Sequence, residues 1–410
     1  MYQFDEDKAY NSRIVHLLCA CTLLLTGVGL VTLYSSSYWF AERVFMNRYH
    51  FVIRQSIFAG VGLALFFAAS VINLEVLRRL VMPLVFIAAA LCALTLVPGI
   101  GVELHGAARW IQIGGNTYQP SEMVKFVLPL YLAHIFDKKK DSINSFVTGV
   151  LPPMLIIGLF FALIYLQNNF STATFVTLNA LILFFLAGLK YSYFISAVII
   201  FLPISTLLLF TAEHRVRRFA SFLRPEWDPL GAGFQVNASR LTMVSGGLWG
   251  TGIGQGTRKV ASVPEVHSDF IFAAFAEEAG FFGVLLFFAL FAAFAFLGYR
   301  AAARAPSAFK FLLAAGLTTI IVTQALLNIA VTSGTLPATG VPLPFFSAGG
   351  SSILTTLVCA GLIVNVARSG VLKTNAAEEL NEKFGFTGGS GGLGRGLNGG
   401  YSALEGQDVR

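Results

Sequence analysis

The stretch SVPEVHSDFIFAAFAEEAGFFG (262–283) places carboxylates before and inside a long apolar run. Asp269 stands where the apolar run begins, and Glu277 lies about 12 Å deeper along a helix, with Glu278 beside it. A helix N-terminus stabilises a carboxylate through its dipole, whereas a carboxylate deep in an apolar helix needs a partner. Asp269 is therefore the candidate for chemistry, unless it only serves the helix dipole. Glu277 and Glu278 are predicted to make structural helix-to-helix contacts.

Two further ionisable residues, Glu265 and His267, precede Asp269. They are predicted only to shape the loop that presents Asp269. The Gly-rich run GTGIGQG (250–256) stands upstream, but it follows no predicted strand and lacks the final Lys-Ser or Lys-Thr of a phosphate-binding loop. We interpret that run as a flexible loop.

The stretch QPSEMVKF (119–126) places a Glu and a Lys at the start of another apolar segment. Pro120 and Ser121 are residues that begin helices, with Ser121 as the predicted N-cap. Glu122 and Lys125 are then three residues apart and share one helical face. They either form an ion pair that holds two charges near the membrane interface, or they line a polar cavity that opens outward.

The stretch HRVRRFASFLRPEW (214–227) alternates arginines with large apolar residues. This alternation predicts a helix that lies in the membrane interface. Arg215, Arg217 and Arg218 either anchor that helix or bind a lipid diphosphate, because the guanidinium group matches phosphate geometry.

These residues must be positioned by a membrane protein. Of the 410 residues, 56% are hydrophobic and 12% are charged, and several apolar runs reach the length of about 20 residues that spans a bilayer. Such spans must be helical. We predict an all-α, polytopic fold with ten spans, at 14–37, 55–74, 79–98, 121–136, 147–166, 171–188, 191–212, 269–299, 309–333 and 350–368.

The distribution of Lys and Arg over the short loops predicts that both termini are cytoplasmic. The net charge of +7 comes from basic residues scattered over these loops, which argues against nucleic acid as a partner. The four cysteines, in apolar segments, show no metal-binding or redox spacing. No organic cofactor is expected.

The predicted organisation has three parts. Residues 1–13 form a cytoplasmic segment, residues 14–368 form the membrane domain, and residues 369–410 form a flexible Gly-rich tail. A large extracytoplasmic loop, 213–268, joins the seventh and eighth spans, and a shorter outer loop, 99–120, carries Trp110. Because the chain contains no soluble catalytic domain, its chemistry must come from loops and helix ends.

Four stretches together resemble one family, the SEDS proteins (shape, elongation, division and sporulation) of the FtsW and RodA type. They are HGAARWIQIGGNTYQPSEMVKF (105–126), DPLGAGFQVNASRLTMVSGGLWGTGIGQG (228–256), VPEVHSDFIFAAFAEEAG (263–280) and LPATGVPLPFFSAGGSS (336–352). The run GTGIGQGTRK followed by VPEVHSD looks more like the division branch, FtsW, than the elongation branch.

The resemblance implies a ten-helix glycosyltransferase that polymerises lipid II on the outer face of the bacterial cytoplasmic membrane and releases undecaprenyl diphosphate. It also implies a class B penicillin-binding protein as partner, together with other division or elongation proteins. Asp269 matches the family's essential aspartate and Trp110 its loop tryptophan. Glu122 and Lys125 match its polar cavity residues.

In that reaction Asp269 would act as general base or as ligand of a divalent cation, Mg²⁺ or Mn²⁺, and Glu122 would hold Lys125 in place. Phosphate charge would be stabilised by Lys125, Arg215, Arg217 and Arg218. One departure matters, because Asn169 stands where the family commonly has Asp, in QNNFSTA. A cavity or metal-binding role for that carboxylate is therefore in doubt.

Three other functions fit the same sequence. A RodA-like elongation polymerase would share the chemistry. A lipid II flippase would also use ten helices with a polar cavity, although transporters usually place charges near the bilayer midplane. A non-catalytic scaffold would recruit partners through its tail.

Overall fold

The computed structural model of the protein describes residues 2–104, 106–224, 231–257 and 267–384. Glu265 and the Gly-rich run 386–403 lie outside these residues. The helices are α1 (Tyr2–Phe45), α2 (His50–Val71), α3 (Leu74–Arg79), α4 (Val81–Leu94), α5 (Pro120–Lys138), α6 (Leu151–Leu166), α7 (Phe170–Leu186), α8 (Tyr191–Phe210), α9 (Glu213–Leu223), α10 (Ala232–Ser245), α11 (Ile271–Ala303), α12 (Ala308–Thr332) and α13 (Gly350–Phe384).

Seven of the described helices are long and apolar enough to cross a membrane: α1, α2, α6 with its preceding turn, α8, α11, α12 and α13. Helices α4 and α7 are apolar but shorter, and α5 carries the charges of Glu122 and Lys125. Each predicted span coincides with one of these helices, so the prediction of a mainly helical, multi-span fold is confirmed. The count of ten crossings and the cytoplasmic termini stay predictions.

Two helices extend beyond the predicted spans. Helix α1 runs from Tyr2 to Phe45, whereas the span was predicted at 14–37. Helix α13 continues to Phe384, so residues 369–384, predicted as the start of the tail, are helical. Hydropathy marks where a helix is apolar, and a helix with a polar end can continue past that point.

The segment 99–120, predicted as an outer loop, forms a small sheet, which corrects the all-α expectation. Strands β1 (Gly101–Leu104), β2 (Ala107–Ile113) and β3 (Asn116–Tyr118) pair antiparallel in that order. Gly114 and Gly115, between β2 and β3, both have positive φ angles. A two-residue hairpin turn of this kind favours glycine at both positions.

Helix α11 bends sharply at Gly280, where φ is 64° and ψ is −170°. The bend frees backbone carbonyls that the helix would otherwise use. The backbone N–H of Thr251 donates to the oxygen of Glu277 at 2.9 Å, and that of Gly252 donates to the oxygen of Glu278 at 3.1 Å. The run 250–256 is predicted to be a flexible loop. In the structure its backbone N–H groups donate hydrogen bonds to the carbonyls of α11 that the bend leaves unpaired.

The long segment 213–268 contains two helices, α9 and α10, and residues 225–230 and 258–266 of it lie outside the described ranges.

In the centre of the bundle, 78% of the apolar window of α13 and 72% of that of α12 are buried, against 6% for α8. Helices α12 and α13 therefore form the core, and α8 lies at the periphery.

Candidate active site

A cavity of about 820 Å³ opens at one end of the bundle. It lies between β2, the turn that joins α6 to α7, α7, α9, α12 and the segment that follows α12. A cleft of this size fits a ligand of several hundred daltons. The polar side chains along its described lining include Arg109, Asn169, Thr174, Arg215, Arg218 and Thr339.

Three arginines give the cavity its charge. Arg109 comes from β2, and Arg215 and Arg218 come from one turn of α9. The described lining contains no carboxylate. Because charges interact more strongly in a low-dielectric cleft than in water, this wall favours an anion, and arginine pairs readily with phosphate oxygens.

Arg215 is buried and held from two sides. Its Nη1 donates to the backbone oxygen of Leu208 at 2.9 Å, and its guanidinium lies 4.6 Å from the ring centre of Tyr165 and 5.4 Å from that of Phe170. Its Nε has no hydrogen-bond partner among the described residues. An unsatisfied buried charged donor is costly, so an acceptor oxygen from a ligand would stabilise this arrangement.

Arg109 links the sheet to the α6–α7 turn. Its Nη2 donates to the backbone oxygen of Asn168, and its Nε donates to that of Gln167 at 3.4 Å. Burial, reinforced by the positive charge of nearby Arg218, lowers the pKa of Arg109 to about 10, while the Asp269 carboxylate opposes this shift. At neutral pH Arg109 therefore remains charged, within electrostatic reach of both Arg218 and Asp269.

Asp269 lies in the turn just before α11 and is partly buried. Its backbone oxygen accepts a hydrogen bond from Asn328 Nδ2 at 3.0 Å. Its carboxylate Oδ2 lies 3.5 Å from the position that a Cβ on Gly340 would occupy, and Gly340 has a φ of 69°. A glycine here leaves the carboxylate room beside the backbone.

Glu122 and Lys125 form a buried ion pair and are absent from the described lining of the cavity. Lys125 Nζ donates to Glu122 Oε1 at 2.7 Å and to Gln324 Oε1 at 2.9 Å. Only 3% of Glu122 and 2% of Lys125 are exposed. The pair therefore packs inside the bundle and does not belong to the described lining of this cavity, and a second, outward-opening cavity at these residues stays a prediction.

The predicted N-cap of α5 is also corrected. The N-cap is Gln119, and Pro120 is the first helical residue. Ser121 accepts a hydrogen bond from Gln119 Nε2 at 3.0 Å.

Two other predicted residues stand apart from the cavity. Arg217 is exposed and pairs with Glu213 at 3.1 Å, one helical turn away. Trp110 lies in β2 opposite Val102, with the Arg109 guanidinium 6.0 Å from its ring. Neither belongs to the described lining, so α9 presents Arg215 and Arg218, but not Arg217, to the cavity.

The two glutamates of α11 contact neighbouring segments. Glu278 Oε1 accepts hydrogen bonds from the hydroxyl of Ser35 in α1 and from the backbone N–H of Gly254, the latter at 3.0 Å. Glu277 Oε1 lies 3.4 Å from the Ser245 hydroxyl of α10. Both carboxylates are buried. They therefore join α11 to other elements at the depth where a lone charge would be unstable.

His267 is buried and lies two residues before Asp269, in the turn that precedes α11. Its ring lies 5.2 Å from that of Phe40 and 4.4 Å from that of Phe51. Its backbone oxygen accepts a hydrogen bond from Ala348 at 3.0 Å. These contacts attach the turn that carries Asp269 to α1, α2 and the segment before α13.

A divalent cation needs several oxygen or nitrogen ligands that converge on one point. In the part of the chain that the structure describes, no group of three or more His, Cys, Asp or Glu side chains could hold a metal ion. Asn169, at the N-cap of α7, contributes a neutral amide to the cavity. The described residues therefore do not form a cation cage of protein ligands.

The sequence reasoning missed Arg109, Gln324 and Asn328. Arg109 adjoins Trp110, and only the fold shows that it lines the cavity, where the Asp269 carboxylate influences its pKa. Gln324 and Asn328 lie four residues apart in a mainly apolar helix. Polar residues at that spacing inside a span are a signal, since buried amides need partners.

The chain matches known proteins over most of its length. The family FTSW_RODA_SPOVE, described as cell cycle protein, matches residues 15–371. A relative from Geobacter sp. (strain M18), described as "Probable peptidoglycan glycosyltransferase FtsW", is 36% identical over 84% of this chain and 94% of its own length. Stage V sporulation protein E of Bacillus subtilis (strain 168) is 36% identical over 86% of this chain and 96% of its own length.

Two solved structures share the fold. One, from work on the structural coordination of polymerization and crosslinking by a peptidoglycan synthase complex, has a TM-score of 0.71 at 26% identity and covers 86% of this chain and 97% of that one. The other, the rod shape determining protein RodA of Thermus thermophilus, has a TM-score of 0.63 at 25% identity and covers 86% of this chain and 95% of that one.

Proposed function

Because the chain belongs to the FtsW, RodA and SpoVE family of cell cycle proteins, we propose that it is a peptidoglycan glycosyltransferase that polymerises lipid II into glycan strands. Relatives about 36% identical carry the name peptidoglycan glycosyltransferase FtsW. The protein is a multi-pass membrane enzyme, and septal wall synthesis during division is the proposed role. The cytoplasmic membrane of a bacterium is the proposed location.

One observation carries this proposal. An arginine-lined cavity of about 820 Å³ lies within electrostatic reach of a carboxylate at a helix start, Asp269. Polymerisation of a diphosphate-linked sugar needs both features, cations for the departing diphosphate and a base for the attacking hydroxyl.

In the proposed step, the 4-hydroxyl oxygen of one saccharide forms a bond to the anomeric carbon of another. The bond between that carbon and the phosphate oxygen breaks, and undecaprenyl diphosphate leaves with the bonding electrons. Asp269 takes the proton of the attacking hydroxyl. Arg109, Arg215 and Arg218 stabilise the charge of the leaving diphosphate, and the unsatisfied Nε of Arg215 donates to one of its oxygens.

A class B penicillin-binding protein is the proposed partner, which would crosslink the new strands. A structural neighbour of this chain comes from a peptidoglycan synthase complex in which polymerization and crosslinking are coordinated. Other division proteins would place the pair at the septum.

The test uses the purified full chain with its penicillin-binding partner, fluorescent lipid II and gel analysis of glycan strands. Wild type should form polymer, and Asp269→Asn should lose it, because the amide cannot accept the proton. The control is Asp141→Asn, an exposed carboxylate in the 3-10 turn Lys140–Ser142, which should keep full activity. Polymer formed by Asp269→Asn at the wild-type rate would overturn the assignment. Lipid II moved between leaflets without polymer would support a flippase.

A further inference from the structure

Two amide side chains of α12 hold the segment beside Asp269. Asn328 Nδ2 donates to the backbone oxygen of Asp269 at 3.0 Å and to that of Val341 at 2.9 Å. Gln324 Nε2, one helical turn earlier, donates to the backbone oxygen of Pro342 at 2.8 Å. Residues four apart on one helical face therefore bind two consecutive carbonyls of the segment between α12 and α13.

These hydrogen bonds fix the orientation of both amides. Asn328 is 1% exposed, and both of its amide hydrogens are used. Exchanging its oxygen and nitrogen would set an acceptor against two carbonyl oxygens. The oxygen of Gln324 accepts from Lys125, which in turn pairs with Glu122. At the end remote from Asp269, the network therefore terminates in the buried ion pair of Lys125 and Glu122.

The segment that is held in this way borders the carboxylate of Asp269. Val341 follows Gly340, whose backbone lies next to Asp269 Oδ2. Asn328 joins the backbone of Asp269 to the backbone of Val341 with one nitrogen, so the turn that carries the carboxylate is held against the segment beside it. Neither Asn328 nor Gln324 belongs to the described lining of the cavity.

We propose that Asn328 and Gln324 are positioning residues that hold the Asp269 carboxylate in the orientation that glycosyl transfer needs. This inference rests on the proposed function and assigns the buried pair Glu122–Lys125 to the same network. Proton transfer depends on geometry at the scale of one ångström, and a displacement of that size costs on the order of a hundredfold in rate. Loss of the network should therefore lower kcat and leave substrate binding intact.

The first test is Asn328→Asp, which keeps the shape of the side chain and removes both donated hydrogen bonds. With purified full chain, its partner and lipid II, we expect kcat to fall by about ten- to a hundredfold. We expect KM to stay within about twofold of wild type, because the described cavity wall is unchanged. A merely structural defect would lower the amount of folded enzyme without this separation of kcat from KM.

The matched control is Asn365→Asp in α13. Asn365 Nδ2 also donates to two backbone oxygens, those of Ala69 at 2.8 Å and Ile72 at 2.7 Å, and it is also buried. These bonds lie at the C-terminal end of α2, whereas Phe51, which contacts His267, lies at its N-terminal end. Asn365→Asp should lower the melting temperature as Asn328→Asp does, but its kcat per folded molecule should equal that of wild type.

A second variant covers the case in which Asn328→Asp does not fold. Gln324→Glu keeps the acceptor for Lys125 and removes the donor to Pro342, and the new carboxylate shares Lys125 with Glu122. It should also lower kcat at constant KM. If both variants keep the kcat of the Asn365→Asp control, the inference is overturned. If wild type forms no polymer, the proposed function fails instead.

Discussion

Arg217 and Arg218 are neighbours in the chain, yet α9 turns them to different surroundings. Arg218 borders the cavity, whereas Arg217 makes an exposed ion pair with Glu213. An exposed pair one helical turn apart contributes only about 0.3–0.5 kcal/mol to stability. The two residues therefore form a natural pair of test and control for the role of cavity charge.

We predict that Arg218→Ala raises the KM for lipid II about tenfold, which corresponds to about 1.4 kcal/mol and is typical of one lost charge-assisted hydrogen bond. Arg217→Ala should leave KM unchanged. The measurement is the initial rate of polymerisation over a range of lipid II concentrations for the two variants and wild type. Equal KM values for Arg217→Ala and Arg218→Ala would contradict a diphosphate site on this wall.

At this scale the sequence identified residue types better than their surroundings. The rarity of charges in a membrane chain picked out Lys125, Glu122 and Asp269, and family motifs supported them. It did not show that Lys125 points into the bundle, because that direction depends on Gln324, 199 residues away. Nor could hydropathy separate Arg217 from Arg218, since only packing against other elements defines the cavity wall.

Helix α11 shows how one residue shapes an element. At Gly280 the backbone takes a φ and ψ that are essentially limited to glycine. A Cβ there would lie 2.2 Å from the backbone nitrogen of Gly250. The bend lets the segment around Gly250 dock on the helix, and Gly254, just beyond it, contacts Glu278.

We predict that Gly280→Ala destabilises the protein by at least about 3 kcal/mol, from backbone strain and the clash with Gly250. The control is Gly158→Ala in α6, where a Cβ would meet nothing within 4 Å. An alanine in that helix should stabilise by up to about 1 kcal/mol. Thermal unfolding in detergent measures both, and a Gly280→Ala protein as stable as wild type would show that α11 need not bend.

Helix positions were predictable because a span must be apolar over its whole length. Two other features, the bend in α11 and the small sheet, could not be predicted in this way. The bend at Gly280 depends on contacts with residues 247–254, which a local pattern does not contain. The sheet at 101–118 is too short and too polar to differ from a loop by periodicity, although the Gly114–Gly115 pair is the turn signal that marks its hairpin.

On the scale of the whole molecule, α5 connects the end of the bundle that carries the cavity to the opposite end. Its 19 residues run from the sheet that carries Arg109 to the basic turn at Lys138–Lys140. At about 1.5 Å per residue this helix is close to 30 Å long, roughly the thickness of the hydrocarbon core. The cavity end and the lysine end should therefore face opposite sides of the membrane, and the excess of Lys and Arg predicts that the lysine end is cytoplasmic.

This orientation gives a direct prediction for accessibility. Asn116, in β3, and Lys140 are both exposed and adjoin opposite ends of α5. In cells whose cytoplasmic membrane is intact, a membrane-impermeant maleimide should label Asn116→Cys and leave Lys140→Cys unlabelled until the membrane is opened. Wild type serves as the control, because Cys21, Cys92 and Cys359 are buried and Cys19 is partly buried, all in apolar helices. Labelling of Lys140→Cys alone would show that the topology is inverted. Asp269 would then lie on the cytoplasmic side, where it could not build an external glycan strand.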